Sequence, residues 1–206
     1  MFGPQALEFL YTITNFGEAT LVAPLVCGAI AALWVVGERR NARAVAIAFA
    51  LCLAATVLSK ILFMFAYRGG PLRSPSGHTA LATFVYGSLA ALAWKRASLG
   101  ALRYVFAALC GGIVLGVAVS RFVIGGHSRT ETAFGLIYGI VAVVFLERRF
   151  AWRPHARASL ALSAVAGVAV AVAAHFVLDS GYFDEEAISG LAHWLRAYAR
   201  GACLDP

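Results

Sequence analysis

Hydrophobic residues in this chain come in long blocks, not in alternation. Apolar runs cover about 18–37, 44–67, 79–95, 103–124, 131–147 and 158–178, and each is 17 residues or longer. A helix that crosses a bilayer uses about 20 residues, so each run is long enough with modest adjustment. The runs are apolar on all sides, unlike the alternating strands of a membrane barrel. Six membrane-crossing helices are therefore predicted. Ahead of them, Phe9, Ile13 and Phe16 fall at helical spacing within residues 5–17, as in a segment lying in the membrane interface. Behind them, Ile188, Leu191, Leu195 and Tyr198 recur at 3-4-3 spacing. Asp184, Glu185 and Glu186 precede this stretch, and Arg196 and Arg200 come near its end. That order suits the helix dipole and predicts an amphipathic surface helix. The expectation is an all-α polytopic membrane protein with one domain over 1–206, its core at about 18–178 and a tail at 179–206.

Composition narrows the class. Hydrophobic residues make up 61% of the 206 and charged residues 13%, against roughly 25% charged in a soluble domain. A soluble globular domain, a disordered chain and a disulfide-stapled module are excluded. Cys27, Cys52 and Cys110 sit in apolar runs and Cys203 near the C-terminus, with no metal-ligand spacing among the four.

The net charge of +7 changes the picture through its placement. Arg39, Arg40 and Arg43 lie in the first connection. Lys95, Arg96 and Arg103 lie in the third, and Arg148, Arg149, Arg153 and Arg157 in the fifth. Those three connections hold ten of the 17 basic residues and should face the cytoplasm. Both termini and the connections at about 68–78 and 124–130 then face outward. The charge is mostly a topology signal. No basic stripe with interleaved aromatics marks a nucleic-acid site. Trp34, Trp94, Tyr104 and Trp152 read as interface anchors.

The outward side should be the less basic one, yet Lys60, Arg68 and Arg73 gather at one connection and Arg121 and Arg129 at the other. A charge near the bilayer centre costs roughly 2.5–3.5 kcal/mol on insertion scales, less near the ends where long side chains snorkel. Five cations on two short connections call for a partner, and an anion is the simplest. Pro75-Ser76-Gly77-His78 opens the third span. Ser76 is placed as an N-cap, so the first N–H groups of that helix point outward as an anion site. Gly77 allows close approach of a ligand to the backbone, and His78 stands beside it as a proton donor. The stretch from Ser120 to Glu131 joins spans four and five and contains Arg121, Gly125-Gly126 and His127. If the chain after Gly126 is helical, His127 and Glu131 share a face at i,i+4. The carboxylate can then hold one imidazole nitrogen and leave the other as nucleophile or base. Arg121 supplies a planar fork suited to phosphate.

Pro-Ser-Gly-His followed by Ser-Arg-x5-His-x3-acid resembles the type 2 phosphatidic acid phosphatase superfamily, which includes bacterial lipid phosphatases and polyprenyl pyrophosphatases. That family's first motif is Lys, six residues, then Arg-Pro. Here seven residues separate Lys60 from Arg68, and Gly69 stands in place of the Pro. Glu131 stands where the family usually has Asp. The resemblance implies a catalytic set of His127, Glu131 and His78. His127 attacks phosphorus to form a phosphohistidine, Glu131 orients it, and His78 protonates the leaving oxygen and later helps activate water. It also implies that Lys60, Arg68, Ser76, the Gly77 backbone and Arg121 hold the phosphoryl oxygens, with no metal or other cofactor. One imidazole must be neutral and the other protonated, so a bell-shaped pH profile is expected.

These residues point to a bacterial inner-membrane lipid phosphatase working at the periplasmic face. Its substrate is a lipid phosphate or diphosphate, with undecaprenyl pyrophosphate as first choice. Phosphatidate, phosphatidylglycerol phosphate and lipid A 1-phosphate stay open, as does transfer to an acceptor other than water. Membrane lipids are the other expected partners, and nucleic acid is not one. Two rival classes are a zinc hydrolase using His78, His127 and Glu131, which the surrounding cations disfavour, and a lipid or anion transporter. Lys60 and Arg68 also fit plain interfacial anchoring. Arg73 and Arg129 fit an anchor or a contact to a second phosphate. His155 reads as solvated, His175 and Asp179 as a local pair, and the tail helix as passive attachment or a lid.

Overall fold

Apolar blocks of this length must satisfy their backbone polar groups internally, and helices do so. The structure, a computed structural model, describes residues 3–66, 74–95 and 99–151, together with Gly190, Trp194, Leu195, Ala197 and Tyr198. Arg68, Arg73, Trp152, His155, His175, Asp179, the expected span at 158–178 and most of the expected tail helix lie outside the described residues.

Six helices precede residue 152 among the described residues: α1 (Pro4–Asn15), α2 (Ala19–Val35), α3 (Arg39–Ala66), α4 (Gly77–Trp94), α5 (Leu102–Val123) and α6 (Arg129–Arg149). Four stretches among them are long and apolar enough to cross a membrane: Pro4–Val35, Arg39–Phe65, Leu102–Val123 and Arg129–Arg149. The helix expected at 79–95, α4, is not one of the four. It has 18 residues, about 27 Å of helix, but it carries His78, Thr79, Thr83, Tyr86 and Ser88. Its surroundings tolerate that polarity, because every residue from Thr79 to Val85 is buried and the Thr83 hydroxyl donates to the Thr79 carbonyl at 2.7 Å.

The core joins Val22 and Val26 of α2, Ala48, Phe49 and Cys52 of α3, Ala80, Leu81 and Phe84 of α4, and Ala142 and Leu146 of α6. Small residues let α4 and α6 approach closely. A Cβ on Gly135 would lie 2.5 Å from the Ser76 carbonyl oxygen. One on Gly139 would lie 2.7 Å from that of Ala80 and would collide with Thr83 Cβ. The segment expected in the interface, residues 5–17, forms α1 and packs on α5. Thr14 and Ser120 share a buried hydroxyl bond of 2.8 Å, and Ile13 Cγ2 lies 3.1 Å from a Cβ built on Gly116.

Cross-links show which helix ends meet. Buried Asn41 donates through Nδ2 to the Ala151 carbonyl at 3.2 Å and accepts the Ala151 N–H at 2.8 Å. Lys95 pairs with Glu147 at 3.1 Å. Arg39 and Arg43 lie over Trp34, and Arg103 over Trp94 and Tyr104. The basic connections thus cluster at one end of the bundle with aromatic side chains beside them. The two motifs lie at the other end.

Candidate active site

Ser76 caps α4 as its sequence position requires. Its Oγ accepts the Thr79 N–H at 3.4 Å and the Thr79 hydroxyl at 3.0 Å. Ser76 is fully buried. The N–H groups of Gly77 and His78 therefore open the helix at its positive end, where no intrahelical carbonyl can reach them. Among the described residues, a Cβ on Gly77 would meet only Thr56 Cγ2, at 3.7 Å. Thr56 lies one turn before Lys60 on α3, which puts Lys60 on the face turned toward the start of α4. Lys60 is 7% exposed, far more buried than a snorkelling anchor needs to be.

The second motif is a turn between two helices. Arg121 lies in the last turn of α5. Gly125 then adopts φ 80°, a left-handed conformation that suits glycine. The His127 N–H donates back to the Arg121 carbonyl at 3.1 Å. Gly126 has a different task, since a Cβ there would lie 3.1 Å from Arg121 Nη2 and 3.3 Å from Cζ. The guanidinium thus lies over Gly126, next to His127. Arg129 lies over the Phe122 ring at 5.1 Å.

α6 starts at Arg129, so His127 precedes the helix instead of lying within it. The two side chains meet across the start of the helix and not along one helical face. Ser128 is the N-cap, and Glu131 folds back to accept the Ser128 N–H at 2.7 Å while Ser128 Oγ accepts the Glu131 N–H at 3.3 Å. This capping box leaves Glu131 Oε2 3.4 Å from His127 Nδ1. Both residues are buried. The two motifs also touch directly. The Ser74 N–H donates to Glu131 Oε1 at 2.8 Å, and the Ser76 N–H donates to the Glu131 carbonyl at 3.0 Å. The α1–α2 turn closes on the same place, where a Cβ on Gly17 would collide with the His78 carbonyl.

A model of the PAP2 superfamily matches residues 59–155. Residues 59–155 belong to the PAP2 superfamily. Neither a curated protein nor a solved structure matches the chain. The PAP2 region begins one residue before Lys60, takes in α4, α5 and α6, and spans both motifs. Of the residues singled out in sequence, Lys60, Ser76, Gly77, His78, Arg121, His127 and Glu131 all belong to this end of the bundle. Arg68 falls within the PAP2 region but outside the described residues. The PAP2 region also depends on residues that the motif reading passed over. Ser128 was legible as the first residue of Ser-x-x-Glu. Gly135 and Gly139 were legible as a Gly-x3-Gly pair in an apolar run. Gly17 carries no local signal, because its role arises from a contact 61 positions along the chain. Among the described residues, no group of three or more His, Cys, Asp or Glu is arranged to hold a metal ion.

Proposed function

We propose that the protein is a membrane lipid phosphatase that hydrolyses a lipid-linked phosphate or diphosphate through a phosphohistidine. Membership of the PAP2 superfamily supports phosphatase activity. The observation that carries the reading is the Glu131 junction, which binds the loop before His78 and stands 3.4 Å from His127. Glu131 faces Nδ1 of His127, so the opposite nitrogen, Nε2, is the one available to attack. Its lone pair forms the P–N bond while the bond from phosphorus to the leaving oxygen breaks. His78 gives that oxygen a proton. Water then attacks phosphorus, His78 takes a proton from it, and the P–N bond breaks to release phosphate. Lys60, Arg121 and the first N–H groups of α4 offset the phosphoryl charge. Phosphoryl transfer depends mainly on such positioning and neutralisation, and a metal is not needed.

In this reading the substrate is lipid-borne: its apolar tail stays among the helices while its headgroup meets Lys60 and Arg121 at the motif end. Undecaprenyl pyrophosphate is the first choice, with Arg129 beside the motif as a further cation. The positive-inside preference assigns the basic end to the cytoplasm and the motif end to the periplasm of a bacterial inner membrane. The test is phosphate release by purified protein from undecaprenyl pyrophosphate, phosphatidate, phosphatidylglycerol phosphate and lipid A 1-phosphate. Release should survive EDTA, stop with vanadate and be lost in His127→Ala. A variant that kept most of the activity would show that His127 is not the nucleophile.

A further inference from the structure

Every backbone N–H in the segment 74–76 goes to one residue. Pro75 has none. The Ser74 N–H goes to Glu131 Oε1 at 2.8 Å, and the Ser76 N–H to the Glu131 carbonyl at 3.0 Å. Pro75 and Ser76 are fully buried and Ser74 is 6% exposed, so no water replaces these bonds. Leaving a buried donor unsatisfied is costly. The other carboxylate oxygen, Oε2, meets the Ser128 N–H and His127 Nδ1. The geometry points to a second task for Glu131: it is a positioning residue for His78 as well as for His127, because its Oε1 fixes the loop from which the His78 helix starts.

The length of the glutamate side chain suits this span: Oε1 reaches the Ser74 N–H on one side, while Oε2 accepts the Ser128 N–H and stands 3.4 Å from His127 Nδ1 on the other. Two loops distant in sequence therefore share one buried carboxylate, each held by a different oxygen.

The activity arm of the test rests on the phosphatase reading, and the exchange arm does not. Ser74→Pro removes the N–H and leaves His127 and Glu131 intact, while Ser74→Ala keeps the N–H and reports on loss of the hydroxyl alone. With His78 displaced, kcat/KM of Ser74→Pro should fall about tenfold or more on an alkyl phosphate, whose leaving oxygen needs a proton. It should fall less than roughly threefold on p-nitrophenyl phosphate, whose leaving group does not. Equal losses on both substrates, or none on either, would overturn the proposal. Amide hydrogen exchange of full-length Glu131→Ala in detergent decides independently, even where Ser74→Pro does not fold. Exchange across 74–78 should rise selectively over the interior of α4. No rise, or an equal rise along α4, would overturn the tie. Wild-type protein that releases no phosphate would defeat the phosphatase reading and leave the exchange result standing.

Discussion

Gly125 and Gly126 are adjacent and do different things. Gly125 has φ 80°, and a Cβ there would meet nothing within 4 Å among the described residues. Only its backbone conformation demands glycine. Gly125→Ala should lower stability by about 1–2 kcal/mol, measured as a reduced midpoint of thermal unfolding in detergent. At Gly126 the constraint is one of space, because a Cβ there would lie 3.1 Å from Arg121 Nη2 and the guanidinium would have to give by a few tenths of an ångström. A Gly-Gly pair permits both a tight bend and a close approach to the backbone. The bend is the work of Gly125, while the space at Gly126 goes to Arg121. Sequence could not separate these roles, since where the guanidinium lies depends on how α5 ends.

At the scale of elements, the contact between α4 and α6 sets the site. Each helix begins beside a motif, and the two are held close by Gly135 and Gly139. Gly139→Ala places a methyl against Thr83 and the Ala80 carbonyl, and both are parts of a packed helix that cannot yield locally. Overpacking of this kind costs about 1–3 kcal/mol. Separation of the helices should also move Ser76 away from Glu131. The expected result is a lowered unfolding midpoint together with a kcat loss of about tenfold or more, from phosphate release by the same preparation. A fall in the midpoint with kcat unchanged would mean that this contact serves the fold alone. Helix ends follow local chemistry more directly. Ser76 caps α4 and Ser128 caps α6 with Glu131 as the reciprocal partner. Arg148 and Arg149 close α6 at its negative end.

For the whole molecule, the division between a basic, aromatic-rich end and a motif end is the organising feature. Arg40 and Thr130 are exposed at opposite ends. With the four native cysteines replaced, Thr130→Cys should react with a membrane-impermeant thiol reagent in cells whose outer membrane is permeabilised. Arg40→Cys should react only after the inner membrane is opened. The reverse pattern would place the motif end in the cytoplasm. The same division explains how +7 of net charge is distributed. Among the described residues, Arg39, Arg40, Arg43, Lys95, Arg103, Arg148 and Arg149 lie toward the basic end, and Lys60, Arg121 and Arg129 toward the motif end.

The sequence by itself determined the helical class, the apolar blocks, the caps and the chemical identity of the candidate site, because each depends on residue type and spacing within a few turns. It also determined which connections share an end, since helices of this length must alternate direction. Only the tertiary structure decided that α1 packs on α5 and that α4 and α6 meet along two glycines. It alone decided that a single carboxylate ties Ser74 to His127. Those outcomes depend on side-chain volume and hydrogen-bond reach between segments some 50 to 100 positions apart, where no local pattern carries the information.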